Sequence, residues 1–282
     1  SLPINMARVP VQFCQFISFA GGNSQSLLGC RGYRKKYAPV IFCQQSKISV
    51  LDARSIAEVY DALAERLVPT AAAASNPNLK YIIGLAGSPG AGKGTLASEV
   101  VKCVNKLWLQ KPSSLDSEVK PSEVAIVIPM DGFHLYRHQL DAMDEAHARR
   151  GVADSAPWTF DPTRLLHCLQ TLRSQVIVEA ESRDPVEDDI FVSLQHKVVI
   201  VEGNYLLLEE GVWKEVQSIF NGKWFIEVDI DNAMERVRKR HISTGIPPDV
   251  AKWLIEYNDR PNGELVNRFK HNADLVIKSI DF

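Results

Sequence analysis

The sequence predicts an α/β fold in which five parallel strands form a sheet with helices on both faces. Short apolar runs of strand length recur at residues 81–86, 124–129, 197–201, 223–230 and 273–277. Helix-forming segments lie between and after these runs, at residues 95–108, 139–149, 163–172, 232–241 and 248–257. The alternation of buried strands with helices is typical of a parallel sheet whose two faces are both covered.

The composition is that of a globular chain of one or two domains. The 282 residues are 45% hydrophobic and 23% charged, which is enough for a sizeable core. A net charge of −2 gives no sign of binding to nucleic acid or to a membrane surface, and no apolar run reaches transmembrane length. The five cysteines form no CxxC pair, so they indicate neither a zinc site nor a disulfide framework. The oligomeric state stays open.

The first part of the chain differs in composition from the rest. Residues 1–51 contain basic and serine residues but no Asp or Glu, which is typical of an organelle transit peptide. We expect import into a plastid, with the mitochondrion or the cytoplasm as alternatives and a disordered basic tail as the other interpretation. Residues 52–78 are predicted to hold an amphipathic helix at 55–67 and a linker at 69–77. The main domain is then residues 79–282.

The clearest motif is the glycine-rich stretch GSPGAGKGT at residues 87–95, between an apolar strand and a helix. This is the setting of a phosphate-binding P-loop, whose N–H groups and helix N-terminus face phosphate oxygens. Lys93 would add a full charge at the β- and γ-phosphates. Gly94 occupies the position where a Ser or Thr hydroxyl usually holds Mg²⁺. The alternative interpretation of the whole stretch is a glycine-rich turn that binds no ligand. The predicted nucleotide-binding residues are Gly87, Ser88, Pro89, Gly90, Ala91, Gly92, Lys93, Gly94 and Thr95.

Two carboxylates are predicted at the carboxyl ends of strands, where ligands collect in parallel sheets. Asp131 follows the run at 124–129 and could accept the proton of an attacking hydroxyl, or it could be a turn residue. Glu202 ends the apolar run VVIVE and is expected to hold Mg²⁺ directly or through water, unless it is simply solvated. Asp131 and Glu202 would therefore share one crevice with the P-loop.

A basic helix near the C-terminus supplies candidate phosphate ligands. Arg236 and Arg240 are four residues apart and hence on one helical face, where they could clamp phosphates as a lid does. A solvated basic face is the alternative. Trp158, Phe160 and Tyr205 could wall a pocket and exclude water, or they could simply pack in the core.

These motifs occur in an order that resembles the phosphoribulokinase/uridine kinase family. The resemblance rests on GSPGAGKGT at 87–95, PMDGFH at 129–134, RRG at 149–151 with FDP at 160–162, VEGNYLLL at 201–208 and RKRH at 238–241. The pairs Asn258-Asp259 and Pro261-Asn262 also resemble bacterial sugar or nucleoside kinase-like members. The resemblance covers residues 79–282, and it implies a P-loop kinase fold with a five-stranded parallel sheet, a small lid, and ATP and Mg²⁺ as cofactors.

The resemblance also implies roles for individual residues. Asp131 and Lys93 would be catalytic, and Arg236 or Arg240 would belong to the lid. The acceptor-binding residues would be Asp131, His134, Arg150, Phe160 and Tyr205. The expected activity is transfer of the γ-phosphate of ATP to a hydroxyl of a nucleoside or a sugar-like metabolite.

Three departures from the family pattern keep other functions open. Gly94 replaces the expected Ser, the link at 151–158 is longer than usual, and residues 176–185 lack the expected aromatic–Asp segment with His. The loop PGAGKGT resembles that of adenylate kinase, so a nucleoside monophosphate kinase is one alternative. A nucleotide-binding regulatory protein without transfer activity is another.

Overall fold

The fold is built on one twisted parallel sheet, seen here in a computed structural model that describes residues 6–9, 48–73, 79–110, 123–141, 156–174 and 190–279. Six strands form this sheet in the order β2-β8-β7-β3-β6-β4, and every neighbouring pair is parallel. Their bounds are β2 Ser49–Leu51, β3 Tyr81–Gly87, β4 Ala125–Pro129, β6 Val198–Glu202, β7 Gly222–Glu227 and β8 Leu275–Lys278. Two further strands, β1 Met6–Val9 and β5 Ile190–Ser193, pair with each other in antiparallel register.

Helices cover the sheet on both faces because the residues of each central strand alternate in direction. In β3, Ile82 and Ala86 point into one apolar cluster, while Ile83 and Leu85 point into the other. The second cluster is closed by α1 Ile56–Ala73 and α2 Lys93–Gln110, and the first by α4 Pro162–Ser174, α5 Gly211–Ile219 and α8 Arg260–Arg268. The predicted α/β class is confirmed.

The remaining helices lie at the carboxyl edge of the sheet or beyond it. They are α3 Arg137–Asp141, α6 Ile230–Ser243 and α7 Pro248–Leu254, and a π-helical turn, Ile255–Asp259, joins α7 to α8. Short 3₁₀ turns occur at Met130–Phe133, Pro157–Thr159 and Lys270–Asn272. The α6 helix begins at a side-chain cap, because Asp229 accepts hydrogen bonds from the backbone N–H groups of Asp231 and Asn232.

Two expectations need correction. The main sheet has six strands rather than five, because Ser49–Leu51, placed in the basic leader by the sequence, pairs with β8 at the edge. Strand β2 is only three residues long and its Val50 is exposed, so the sequence shows no strand pattern there. The linker predicted at 69–77 is wrong at its start, because α1 continues through Pro69 to Ala73. Burial of Val68 and Ala71 offsets the cost of a proline inside the helix.

Other expectations fall partly outside the described residues. The predicted helix at 139–149 is seen only as far as Asp141, and the segment at 176–185 lies outside the described residues. The assignment of residues 1–51 to a transit peptide stays a prediction. Within the described part of the chain, no helix combines the length and the apolar character that a membrane span requires.

Candidate active site

The strand order brings the predicted carboxylates and the glycine loop together. Strands β4, β6 and β3 are neighbours, and Glu202 at the end of β6 is in register with Pro129 on one side and Leu85 on the other. Asp131 follows β4 directly in the 3₁₀ turn, and the glycine loop follows β3. Since all three strands run parallel, their carboxyl ends meet at one edge of the sheet.

The glycine loop has the conformation of a phosphate cradle. Gly90 and Gly92 adopt φ angles of 79° and 86°, in the left-handed region that glycine enters most readily. The Ala91 N–H donates to the Ser88 carbonyl at 3.1 Å, and the Lys93 Nζ donates to the same carbonyl at 3.1 Å. The amino group of Lys93 thus folds back over the loop. Helix α2 begins at Lys93, so its N-terminal dipole points at the same space.

Helix α6 packs directly against this loop. A Cβ added to Gly90 would lie 2.3 Å from the Ala233 carbonyl oxygen and 2.9 Å from Val237 Cγ2. From the same helix, Arg236 Nη1 lies 3.5 Å from the Gly90 carbonyl and 3.4 Å from Ser279 Oγ. The close approach at Gly90 sets the distance between the phosphate cradle and the helix that carries both arginines.

A cavity of about 470 Å³ lies between these elements. The predicted residues that line it are Pro89, Gly90, Gly92, Lys93, Gly94, Thr95, Asp131, His134, Phe160, Glu202, Arg236 and Arg240. The lining residues that sequence reasoning did not assign to the site are Gly203, Asn204, Val237 and Asp259. The two carboxylates, the lysine and the two arginines of the prediction therefore face one space.

Some predicted residues do not line the cavity. Ser88 and Ala91 are fully buried, so they contribute to the site only through the backbone of the loop. Gly87 closes strand β3, packed against the Ile226 backbone. Arg150 lies outside the described residues.

Tyr205 supports the site from behind rather than lining it. Its side chain is fully buried, with its ring 5.7 Å from that of Phe160 and 5.9 Å from that of Trp213. Burial raises the pKa of its phenol, and the nearby carboxylates of Asp259 and Asp131 raise it further. The prediction that Tyr205 forms a wall of the pocket is therefore wrong, because its side chain packs into the core after the end of β6. Trp158 is half-buried and is not among the lining residues.

The wall on the side of Asp131 is aromatic. The ring of His134 lies 3.8 Å from that of Phe160, and its Nδ1 is 3.3 Å from the Thr159 carbonyl. A backbone bridge also joins His134 to Phe160. Phe160 is itself 3% exposed, so it offers only an edge to the cavity. His134 thus holds a fixed position beside Asp131, as a substrate-contacting residue requires.

The charged groups that line the cavity shift one another's pKa values. Burial lowers the pKa of Lys93 to about 8, while Glu202 and Asp131 act to raise it and Arg240 acts to lower it. Burial raises the pKa of Glu202, Lys93 lowers it and Asp131 raises it. An anionic ligand at the loop would favour the protonated form of Lys93. The site is therefore arranged for a strongly negative group.

The residues fit Mg²⁺ bound together with nucleotide phosphates. Among the described residues, no cluster of three or more His, Cys, Asp or Glu could hold a metal unaided. Mg²⁺ in phosphate-transferring sites commonly takes only one or two carboxylates, the rest of its ligands being phosphate oxygens and water. Glu202 supplies such a carboxylate, and a Cβ on Gly94 would lie 3.8 Å from its Oε1. The absence of a side chain at Gly94 leaves that space open.

Asp259 is the functional candidate that the sequence indicated least clearly. It ends the π-helical turn, is 5% exposed and lines the cavity. Its Oδ2 lies 3.0 Å from Nε2 of His241, and its Oδ1 lies 3.4 Å from Nδ2 of Asn258. The resemblance drew attention to the pair Asn258-Asp259, but no spacing rule tied it to the P-loop. π-Helical turns inside α-helices often mark functional sites.

The parallel sheet, the glycine loop and the cationic helix over one cavity define a P-loop protein of the kinase class. A scan of protein-family models finds none that matches the chain. A Schizosaccharomyces pombe protein named "Putative uridine kinase C227.14" is 31% identical over 211 residues, which cover 71% of this chain and 84% of that protein. The Aspergillus versicolor "ATP-dependent kinase-like protein notR'" is 38% identical over 135 residues, 43% of this chain and 76% of that protein.

A solved structure agrees with these relatives. The "putative fructose transport system kinase" from Silicibacter sp. TM1040 superposes with a TM-score of 0.58 at 25% identity, over 77% of this chain and 98% of that one. The chain therefore belongs to the P-loop kinases of the uridine kinase/phosphoribulokinase type, and it is an ATP-dependent kinase. The resemblance and the P-loop kinase fold are confirmed.

Proposed function

We propose that this kinase transfers the γ-phosphate of Mg-ATP to a hydroxyl group of a nucleoside or a sugar-like metabolite. The observation that carries the proposal is the placement of Lys93, Glu202 and Asp131 around one cavity, at the edge of the sheet where three adjacent parallel strands end. A phosphate cradle and a candidate base then share one space, which is what in-line transfer to an organic hydroxyl needs.

In the proposed reaction the acceptor oxygen forms a bond to the γ-phosphorus while the bond from that phosphorus to the β–γ bridging oxygen breaks. The proton of the acceptor hydroxyl passes to a carboxylate oxygen of Asp131, and ADP leaves with the bridging electron pair. Asp131 suits this role because it is exposed, lines the cavity and lies in the 3₁₀ turn that follows the end of β4.

Lys93, Arg236 and Arg240 provide positive charge on the side of the phosphates. Lys93 exchanges its contact with the Ser88 carbonyl for phosphate oxygens, and the half-buried Arg236 is held at the loop through the Gly90 carbonyl. Arg240 is exposed at the rim of the cavity, where it can reach a phosphate. Mg²⁺, held by Glu202 together with phosphate oxygens, would supply further neutralisation of charge.

The acceptor class is supported by the aromatic and acidic side of the cavity. His134 and the small exposed part of Phe160 offer aromatic surface, and Asn204 adds a polar side chain. The names of the relatives point to a nucleoside in one case and to a sugar in another, and both compounds carry several hydroxyl groups.

The test is a screen of acceptors with Mg-ATP, in which phosphorylated product is detected by mass spectrometry. Nucleosides, sugars, pantothenate and glycerate form the panel. Lys93→Ala, which removes a contact to developing phosphate charge, should lower turnover by about 10²–10³ with the productive acceptor. If ATP binds but no compound is phosphorylated, a regulatory role gains support. Unchanged turnover in folded Lys93→Ala would contradict the role of the loop.

A further inference from the structure

A third carboxylate in the cavity, that of Asp259, has no part in the proposed transfer step. Asp259 lines the cavity, yet it is 5% exposed and comes from the C-terminal helices rather than from a strand end. Burying a carboxylate is costly unless hydrogen-bond donors compensate for the loss of water. Its presence at the wall of a ligand cavity therefore calls for a role there.

The contacts of Asp259 hold it in place without using its full capacity. Nε2 of His241 lies 3.0 Å from Oδ2, and Nδ2 of Asn258 lies 3.4 Å from Oδ1. Asn262 in turn donates to Asn258 Oδ1 at 3.1 Å, so the carboxylate belongs to a fixed polar group. A carboxylate accepts about four hydrogen bonds, and these two contacts leave it able to accept one from a ligand.

Asp259 and Asp131 line the same cavity. Both carboxylates also lie close enough to the buried phenol of Tyr205 to raise its pKa. An acceptor whose reacting hydroxyl is bound at Asp131 would extend into the cavity that Asp259 also lines.

We propose that Asp259 binds a second hydroxyl of the acceptor, one that is not phosphorylated, with His241 as the residue that positions the carboxylate. This inference rests on the proposed function and narrows its substrate class. The acceptor carries at least two hydroxyl groups, and the part that meets Asp259 bears no phosphate or carboxylate, because a negative group there would be repelled.

A purely structural role for Asp259 would be to tie α6 to the C-terminal helices, and the chain offers a matched control for that role. The next residue, Arg260, forms an ion pair with Asp231 at the start of α6, with 2.5 Å between Nη2 and Oδ1. That pair joins the same two elements, but it is solvent-exposed and neither residue lines the cavity. Asp231→Asn therefore weakens the tie without touching the site.

The first experiment compares Asp259→Asn and Asp231→Asn with the wild type, using uridine and D-ribose as acceptors and Mg-ATP as donor. Asparagine preserves the shape and can still accept from His241. Asp259→Asn should raise the KM for the acceptor about 10- to 100-fold, the loss expected for a hydrogen bond to a charged group. The dissociation constant of Mg-ATP should change less than threefold. Asp231→Asn should leave both values unchanged.

The second experiment measures binding and begins with wild-type protein, so its first comparison does not depend on the folding of a variant. Uridine is compared with 2′,3′-dideoxyuridine, and D-ribose with 2-deoxy-D-ribose, by titration calorimetry in the presence of Mg-ADP. At least one complete compound should bind about tenfold or more tightly than its analogue, and Asp259→Asn should abolish that preference.

The outcomes separate this inference from the proposed function. Equal binding of complete and deoxy compounds, or no binding of any of them, contradicts the role of Asp259. So does an Asp259→Asn protein whose acceptor KM is that of Asp231→Asn. Transfer of phosphate to any compound that carries a single hydroxyl would still uphold the proposed function while overturning this inference.

Discussion

The contact between the glycine loop and α6 makes Gly90 the most demanding backbone position of the site. Gly90→Ala adds one carbon, at a φ of 79° that side chains rarely adopt. That carbon would lie 2.3 Å from the Ala233 carbonyl oxygen and 2.9 Å from Val237 Cγ2. The carbonyl belongs to the helix backbone, so it cannot rotate away as the end of a flexible side chain can. Relief requires the loop or the whole of α6 to move.

The expected magnitude has two parts. The left-handed conformation costs an alanine about 1–2 kcal/mol relative to glycine. Separating the new carbon from the carbonyl to an ordinary contact requires a shift on the order of 1 Å, and overpacking of this kind costs about 1–3 kcal/mol. We therefore expect Gly90→Ala to lower the free energy of unfolding by about 2–5 kcal/mol. Because Arg236 is anchored on the same loop, turnover should fall about 10²-fold.

Gly245→Ala is the matched control. Gly245 has a φ of 92°, but an added Cβ would meet nothing within 4 Å. This variant should show the conformational cost alone, about 1–2 kcal/mol, with turnover within about twofold of the wild type. The assay combines urea unfolding with ATP turnover on the productive acceptor. If both variants lose the same stability and Gly90→Ala keeps its turnover, then α6 does not rest on the loop as described.

Three further predictions concern charge, metal and targeting. Burial lowers the pKa of Lys93 to about 8 in the ligand-free protein, so the affinity for ATP should weaken by up to about tenfold per pH unit above pH 8. Calorimetry should also detect proton uptake on ATP binding there, and a profile as flat as that of Lys93→Arg would contradict the depressed pKa. Folding lowers this pKa from 10.5 to about 8, so between these pH values the unfolded chain holds a proton on Lys93 that the folded protein has lost. The free energy of unfolding should therefore rise as the pH goes from about 8 towards 10.5. A serine at position 94 would place its Cβ 3.8 Å from Glu202 Oε1, where its hydroxyl could bind Mg²⁺. Gly94→Ser should therefore bind Mg²⁺ about 3- to 10-fold more tightly at fixed ATP than Gly94→Ala. Equal Mg²⁺ affinities of the two variants would exclude a metal beside Glu202. A fluorescent protein fused to residues 1–55 should enter a plastid, since residues 1–51 contain no acid, and a diffuse cytosolic signal would count against a transit peptide.

The parts of the site that could be predicted from the sequence are those with a local signal. The loop at 87–95 follows a strand and opens a helix, and this order alone indicated its fold. Asp131 and Glu202 each end an apolar run, and parallel pairing of those runs places them at one edge. Arg236 and Arg240 share a helical face, so one helix carries both into the cavity.

The parts that could not be predicted depend on contacts between distant segments. Asp259 enters the cavity because a π-helical turn and a hydrogen bond to His241, 18 residues earlier, orient it. The close approach at Gly90 involves a helix more than 140 residues further along the chain. The sequence predicts Tyr205 as a pocket wall, but its side chain is fully buried in the core beside Phe160 and Trp213. Pro69 predicts the end of the helix, but α1 continues through it because Val68 and Ala71 are buried in the core.

The most direct test of the central claim is phosphoryl transfer by Asp131→Asn. Asparagine keeps the size of the side chain and removes the proton acceptor, while the loop, Lys93 and both arginines remain. Transfer to the productive acceptor, followed by mass spectrometry of the phosphorylated product, should fall about 10²–10⁴-fold, with the dissociation constant of Mg-ATP nearly unchanged. Transfer at the wild-type rate by a folded Asp131→Asn protein would show that Asp131 is not the base and that the cavity works in another way.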